Sequence, residues 1–317
     1  MTFSPFSAKI HNVQIEHILK IKKVLFMLKL FTDTDCDVTP EIAREFGYSG
    51  LISMPYTFGE EEVYPYETFD TYDAHAFFEI LRGGKMGKTS AISPEKYVEY
   101  FEPHFAAGDD ILYVHFSPAM SGTFNAMNIA LSELKEKYPE RNLYTINTKA
   151  ISALALIIVK EIGLMHKNGA TLDEMLAWAE KEVDKHAIYF YCDDLSFFMK
   201  SGRVSNIAGF FGKLLNMHPI IHMDSQGVMN AMAKAQGKIS TLKKMVSLIE
   251  ELQEDIASHR VIIAHTDLPD VAELAHKMLE EKFGKLDVEF VKVNPTVGMH
   301  CGPYCVGIAF HSKHRYK

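Results

Sequence analysis

Cysteine is scarce in this sequence. Four cysteines occur among 317 residues, at positions 36, 192, 301 and 305, with uneven spacing. Small secreted domains that rely on a disulfide framework carry more cysteines at more regular intervals. The cysteine content therefore argues against such a framework and favours a reducing compartment, so we expect a cytoplasmic protein.

Long apolar runs are also missing. The longest, such as 24–27 and 153–159, fall well short of the roughly 20 residues that a transmembrane helix needs. Residues 1–25 lack the clean apolar stretch and small-residue cleavage site of a secretory signal. We interpret them as an N-terminal extension, either an extra helix or a loose arm, and a start codon assigned too early is an equal alternative. We expect no transmembrane segment.

Positive charge is not concentrated anywhere. The net charge is -8, and the longest basic blocks are pairs such as Lys22-Lys23 and Lys243-Lys244. Proteins that bind nucleic acid need a basic patch to neutralise phosphates, so this class is disfavoured. Hydrophobic residues at 47% and charged residues at 23% are ordinary for a globular protein. The length favours two domains over one.

The first half of the chain alternates between strands and helices. Apolar strands at 29–32, 111–116 and 143–146 each run into a short polar loop followed by a helical stretch. Repeated strand, loop and helix units predict a parallel sheet covered by helices on both faces. We therefore predict an α/β domain over residues 26–180.

The pattern changes after about residue 180. Short apolar runs separated by Gly and Pro become frequent, and the Gln226-Gly227 turn separates two of them as in a β-hairpin. Two stretches, 240–256 and 271–283, have apolar residues at helical spacing with charges between them. We predict an α+β domain over residues 181–317.

Polar clusters follow several apolar strands. They lie at 32–35, 87–94, 117–123, 201–205 and 300–303. The strand ends of an α/β sheet are the positions from which side chains reach a ligand. A Ser- or Thr-rich turn before a helix is nevertheless more often a simple N-cap, so no single cluster identifies a site.

The order of these clusters resembles the DegV family. The shared motifs are Thr-Asp-x-x-Cys-Asp from Thr32, Thr-Ser-x-x-Ser from Thr89, Ser-x-x-x-Ser-Gly-Thr from Ser117, Ser-Gly-Arg-x-Ser from Ser201 and His-x-Gly-Pro from His300. The resemblance runs from about residue 27 to 310. The separation of 32 residues between Thr89 and Ser121 also fits the family.

The resemblance implies a fold and a function. The fold would pair a three-layer α/β/α domain, with a mainly parallel sheet, and a lipid-enclosing α+β domain with a mainly antiparallel sheet. The function would be to bind a long-chain fatty acid such as palmitate, with Thr89 and Ser121 holding its carboxylate. Supporting motif residues would be Ser90, Ser93, Ser117, Gly122, Thr123 and Asp33.

The resemblance also implies a partner. A separate fatty acid kinase would phosphorylate the presented carboxylate, with Arg203 and His300 on the presenting side, in lipid transport or fatty acid metabolism. The chain itself would need no cofactor and no metal, and would not be an enzyme. A lipid-dependent regulatory or scaffold protein is the alternative.

A fatty acid is physically reasonable as the ligand. Burying a sixteen-carbon tail offers on the order of 10 kcal/mol at about 0.8 kcal/mol per methylene. The carboxylate then needs donors, and hydroxyls beside a helix N-terminus, as in the 121–123 turn, provide them. We predict that the tail is lined by an apolar cluster of the second domain for which ordinary core packing is the alternative. Its members are Phe197, Phe210, Phe211 and Leu214.

The sequence departs from the family motifs at a few positions. Ala91 and Ile92 replace the usual Gln-Pro pair, Asp35 stands where Ser or Thr is common, and Ser201 stands where Gly is frequent. Both hydroxyls expected to hold the carboxylate are retained. The departures leave the preferred chain length and the partner open.

Other functions have weaker support. A hydrolase could use Ser121 as nucleophile and His300 as base, but the Gly-x-Ser-x-Gly motif is missing and no acid partner stands out. His300, Cys301 and Cys305 offer at most three metal ligands. Residues 82–89 end in Gly-Lys-Thr, but Arg82 stands where a phosphate-binding loop has its first glycine.

Overall fold

A computed structural model describes residues 28–205 and 216–316. The predicted N-terminal extension, residues 1–25, lies outside these ranges, and so do Phe210, Phe211 and Leu214. Within them, no helix combines the length and apolar character needed to cross a bilayer.

The strands and helices of the described ranges alternate along most of the chain. The strands are β1 (Leu28–Asp33), β2 (Gly50–Ile52), β3 (Tyr56–Phe58), β4 (Glu61–Val63), β5 (Lys88–Thr89), β6 (Asp110–His115), β7 (Leu143–Asn147), β8 (His186–Cys192), β9 (Val204–Ser205), β10 (Met217–Met223), β11 (Met229–Gln236), β12 (Arg260–His265), β13 (Asp287–Lys292) and β14 (Cys305–His311). The helices are α1 (Pro40–Glu45), α2 (Ala74–Arg82), α3 (Pro94–Ala107), α4 (Thr123–Lys137), α5 (Ser152–Lys167), α6 (Leu172–Glu182), α7 (Ser196–Ser201), α8 (Lys238–Leu252), α9 (Pro269–Phe283) and α10 (Pro295–Cys301).

The first sheet is parallel, as predicted. Its order is β2-β1-β6-β7, and all three pairings are parallel. Five of the six residues of β6 are buried, because helices cover a parallel sheet on both faces. The loops after these strands all open at the carboxyl edge of the sheet, where two of the predicted polar clusters, 32–35 and 117–123, lie.

The second sheet is mainly antiparallel, also as predicted. Its order is β13-β12-β14-β8-β10-β11-β9, and four of its six pairings are antiparallel. Strands β10 and β11 form the expected hairpin, and Gly227 in its turn has φ +76°, which glycine adopts without strain. The helix expected over 240–256 ends at Leu252, and a short 3-10 turn follows at Ile256–Ser258.

Helix α5 lies between the two sheets. It packs on β6 of the first sheet and on β8, β12 and β14 of the second. Residues 152–160 are all buried, which explains why this stretch of the helix is apolar on nearly every side. The exception is Lys160, whose ammonium lies 2.6 Å from a carboxylate oxygen of Glu289 on β13. The predicted domain boundary after residue 180 falls within α6 (Leu172–Glu182).

A third, small sheet was not predicted. Its order is β4-β3-β5, with antiparallel pairings. Strand β5 consists of Lys88 and Thr89 alone and contacts α10 from the end of the chain. This sheet therefore places Thr89 of the Thr-Ser motif next to α10, which contains His300 of the His-x-Gly-Pro motif.

One disulfide bond was not expected from the cysteine spacing. Cys192 and Cys305 are bonded, and their Cα atoms lie 4.0 Å apart. They are directly opposite each other on β8 and β14, although 113 residues separate them in the sequence. Cys36 and Cys301 are free and buried. The cytoplasmic location remains a prediction.

Candidate functional site

A cavity lies between the two sheets. One wall is the second sheet, which contributes residues of β8, β10, β11, β12 and β14. The facing wall consists of loops at the carboxyl edge of the first sheet, together with α10. The empty space between the walls is about 940 Å³, including the part open to solvent.

Most of the lining is apolar and comes from both halves of the chain. Methionine is prominent, and its flexible thioether adapts to ligands of varied shape. The first half contributes Met54, Phe116, Met120 and Ile151, and the second contributes Ile188, Phe190, Phe198, Met223, Met229, Ala264, Val293, Val297, Cys301, Cys305, Val306 and Gly307.

Hydroxyl and charged side chains also line this cavity. Thr89, Ser121, Arg203 and His300, the residues that the resemblance singled out, are all among them. They come from β5, the turn before α4, the second residue after α7 and the last turn of α10. Four motifs dispersed over more than 200 residues therefore meet at one cavity.

Thr89 and His300 are hydrogen bonded to each other. The hydroxyl oxygen of Thr89 lies 2.9 Å from Nε2 of His300. Burial lowers the pKa of His300 to about 4, and the positive charge of Arg203 contributes to this shift. His300 is therefore neutral near pH 7. In the tautomer that carries its proton on Nε2, the ring donates to Thr89, and the Thr89 hydroxyl hydrogen is available to a ligand.

Ser121 is held by its own turn. Its backbone is extended, with φ -152°, and its hydroxyl oxygen accepts a hydrogen bond from the N–H of Thr123 at 3.2 Å. The hydroxyl hydrogen is thus free to point elsewhere. Gly122 follows as the N-cap of α4 and provides no side-chain cap, so the partially positive helix end is adjacent to Ser121.

Arg203 lies where the cavity meets the outside. Its guanidinium donates to the carbonyl oxygen of Ser201, which holds the charged end of the side chain near the backbone of α7. Arg203 and Ser121 line both the interior cavity and an open depression, to which residues 118–120, 122, 124 and 125 also contribute. A ligand group bound between these two residues would be accessible from the surface.

The predicted supporting residues divide into two groups. Ser90 lines the cavity and also donates to Glu62 on β4 at 2.8 Å. The others hold the surrounding backbone. Ser93 is the N-cap of α3, and the hydroxyl of Thr123 accepts from the N–H of Ile92. Ser117 donates to the carbonyl oxygen of Gly227 in the β10–β11 turn, joining the two halves of the chain.

Asp33 is a buried structural carboxylate. It accepts hydrogen bonds from the N–H groups of Cys36 and Phe116 and from the hydroxyl of Tyr113. Burial raises its pKa to about 6 in spite of these donors. It does not line the cavity, and it ties the end of β1 to β6.

Phe197 is the one predicted tail-lining residue within the described ranges, and it faces away from the cavity. It packs in a separate buried cluster with Tyr56, Phe77 and Met299, and the adjacent Phe198 lines the cavity instead. A Cβ on Gly302 would lie 2.3 Å from the Phe197 ring, so this ring also requires a glycine beside it. Met223 on β10 and Met229 on β11 line the cavity but were not among the predicted tail-lining residues, although both belong to the predicted hairpin.

Comparison with known proteins identifies the family. A family model described as "Uncharacterised protein, DegV family" matches residues 27–313. The chain belongs to the DegV family. A DegV domain-containing protein of Clostridium perfringens, CPE0026, is 30% identical over 287 residues, which covers 89% of this chain and 96% of that protein.

Solved DegV structures share the fold. A DegV family protein from Thermus thermophilus, described by its fatty acid binding, superposes with a TM-score of 0.77 at 21% identity, covering 90% of this chain and 99% of that one. The Streptococcus pneumoniae Fatty Acid Kinase (Fak) B3 protein, loaded with linoleic acid, superposes with a TM-score of 0.76 at 15% identity, covering 91% of this chain and all of that one.

Proposed function

We propose that this DegV protein binds a long-chain fatty acid in the cavity between its two sheets. The carboxylate lies beside Thr89, Ser121, Arg203 and His300, and the tail lies along the apolar walls. The observation that carries this proposal is the convergence of these four polar side chains on one otherwise apolar cavity. Fatty acids bound to solved DegV proteins of the same fold support it.

The polar residues suit a carboxylate. The Ser121 hydroxyl and, with His300 protonated on Nε2, the Thr89 hydroxyl each have a hydrogen to donate. Arg203 lies at the opening to the surface depression, and we assign its positive charge to presenting the acid rather than to holding it. Each hydrogen bond to a carboxylate contributes about 1.5 to 3 kcal/mol, which offsets the desolvation of the acid. The tail contributes on the order of 10 kcal/mol for sixteen carbons.

We further propose that the bound acid is presented to a fatty acid kinase. Ser121 and Arg203 line the depression outside the cavity, so a carboxylate between them is open to a second protein. We do not propose that this chain catalyses a reaction itself. Among the described residues Ser121 and His300 share no hydrogen bond, and His300 is bonded to Thr89 instead. A serine nucleophile needs a base within reach of its hydroxyl.

Organic extraction and mass spectrometry of protein purified from a bacterial host test the first proposal. We expect one acyl chain per protein, and less in a variant that combines Thr89→Val with Ser121→Ala. Well-folded wild-type protein without any acyl chain would contradict fatty acid binding.

A reconstituted reaction tests the second proposal. The protein, loaded with fatty acid, is mixed with a fatty acid kinase and ATP, and acyl phosphate is measured. Arg203→Ala should retain most of its bound acid while acyl phosphate formation falls. If bound fatty acid and acyl phosphate formation fall by the same factor, Arg203 acts in fatty acid binding and not in presentation to the kinase. Absence of product with every kinase that accepts other DegV proteins would favour a regulatory role.

A further inference from the structure

Asp35 is a polar residue of the cavity wall with no assigned partner. It lies in the 3-10 turn Thr34–Cys36 that follows β1, and its side chain lines the cavity. Only 6% of the residue is exposed. Its Oδ1 atom is buried and has no hydrogen-bond partner among the described residues.

The two neighbouring aspartates of the same loop are fully engaged. Asp33 accepts from two backbone N–H groups and a tyrosine hydroxyl. Asp37 accepts from the backbone and side-chain N–H groups of Asn294 and from the hydroxyl of Ser152. Asp35 is thus set apart from its neighbours by facing the cavity without a donor.

A buried carboxyl group without a partner is energetically unfavourable. Burial raises the pKa of Asp35 well above its usual value, and the nearby charges of Asp33 and Asp37 raise it further. These effects favour the protonated carboxyl, which has one hydrogen to donate and oxygens that accept. The complementary ligand group would both accept and donate a hydrogen bond.

Among the described residues, the other polar side chains on this part of the wall are already engaged within the protein. Ser152 and Thr296 also line the cavity, but Ser152 donates to Asp37, and Thr296 donates to the carbonyl oxygen of Met54 at 2.8 Å. Their hydroxyl hydrogens are used within the protein. Asp35 remains as the group that a ligand can satisfy.

The loop that contains Asp35 meets the start of α10, whereas His300 lies in the last turn of that helix. The aspartate loop is joined to Asn294, the N-cap of α10, through Asp37. His300 is six residues further along that helix, which corresponds to about 9 Å at 1.5 Å per residue. A group that meets Asp35 would then belong to the acyl chain, several carbons from the carboxylate.

We propose that Asp35 selects an acyl chain that carries an internal hydroxyl group, so that the ligand class is hydroxy fatty acids. This inference rests on the proposed fatty acid binding. A hydroxyl accepts the carboxyl hydrogen and donates to the unpartnered oxygen, whereas a methylene leaves both unpaired.

Competitive binding to delipidated full-length protein tests the inference. The probes are stearate, 10-hydroxystearate and 12-hydroxystearate, which have the same chain length and differ in the hydroxyl. We expect the wild type to bind at least one hydroxystearate about tenfold more tightly than stearate, the effect of one recovered hydrogen bond. Asp35→Leu should abolish this preference, and Asp35→Asn should retain it because an amide also donates and accepts.

The outcomes separate this inference from the proposed function. Equal affinity of the wild type for all three acids would overturn the role of Asp35 and leave fatty acid binding intact. In that case a water molecule, rather than the ligand, would be the partner of the carboxyl group. Binding of none of the acids would overturn both proposals. If Asp35→Leu does not fold, Asp35→Ala provides the variant without a hydrogen-bonding group. A preference that persists without any such group at position 35 would also overturn the inference.

Discussion

The hydroxyl oxygen of Thr89 and Nε2 of His300 lie 2.9 Å apart, across 211 positions of the sequence. Thr89 belongs to a two-residue strand of the small sheet, and His300 to the last turn of α10. This hydrogen bond joins the Thr-Ser motif to the His-x-Gly-Pro motif at the cavity. It also makes His300 a reporter of the group that binds there.

The ionisation of His300 should change when the cavity is loaded. In the free protein, burial and Arg203 lower its pKa to about 4. A carboxylate beside the ring stabilises the imidazolium, so we expect the pKa to rise on fatty acid binding. Histidine NMR titration of delipidated and loaded protein measures this. His186, whose pKa burial lowers to about 3, does not line the cavity and should not respond. An unchanged His300 pKa in loaded protein would mean that the carboxylate binds elsewhere.

Removing either proposed carboxylate-binding hydroxyl should weaken fatty acid binding. We expect Ser121→Ala and Thr89→Val each to cost about 1.5 to 3 kcal/mol, because each removes a hydrogen bond to a charged group. A direct titration of delipidated protein with palmitate measures the loss. Unchanged affinity in both variants would contradict the proposed carboxylate site.

Ser93→Ala is the matched control for these variants. Ser93 belongs to the same Thr-Ser motif, but its hydroxyl accepts from the N–H of Lys96 as the N-cap of α3. We therefore expect a loss of about 1 kcal/mol in the free energy of unfolding and no change in palmitate affinity. A change in the palmitate affinity of Ser93→Ala would show that substitutions in this motif weaken binding by destabilising the fold rather than by removing a carboxylate contact.

Most of the fold, but only part of the cavity lining, could be predicted from the sequence. The parallel pairing of the first sheet follows from the repeated strand, loop and helix units, and the hairpin follows from its turn. Strands as short as β5 have too few residues to show alternation, so the small sheet was missed. Phe197 and Phe198 are adjacent and equally apolar, and only tertiary packing decides which one faces the cavity.

Contacts between residues far apart in the chain could not be predicted from the sequence either. Cys192 and Cys305 meet because β8 and β14 are neighbours in the second sheet, and no local pattern encodes that neighbourhood. The clustering of Thr89, Ser121, Arg203 and His300 could be expected only through resemblance to a family. Their residue types alone fit helix caps and surface positions as well.

The buried aspartate Asp37 should make stability depend on pH. Burial raises its pKa to about 6, against 3.8 ordinarily, so the folded state binds this proton more tightly than the unfolded state. Its contribution to stability is present below about pH 3.8 and is lost as the pH rises through 6. Relative to the wild type, Asp37→Asn should become more stable by about 1.4 kcal/mol per pH unit between pH 4 and 6. Urea unfolding at several pH values measures the difference, and parallel curves for the two proteins would contradict it.

Arg315 should be a major determinant of stability. It is buried, with 4% exposed, and its guanidinium donates to the carbonyl oxygens of Thr148, Lys149, Val183 and His186. These acceptors belong to the loop after β7 and to the connection into β8, so one side chain near the C-terminus joins both halves of the chain.

Arg315→Met retains much of the side-chain volume but leaves buried carbonyl groups without donors. We expect the free energy of unfolding to fall by about 3 to 5 kcal/mol, as when one partner of a buried charged network is removed. Arg44→Met is the control, since the Arg44 side chain is 70% exposed and its ion pair within the described residues is with Glu41 one turn away, so its loss should change stability by less than about 0.5 kcal/mol. Urea unfolding of both variants at neutral pH measures these changes. Similar, small losses in the two would show that Arg315 does not join the halves of the chain as its hydrogen bonds indicate.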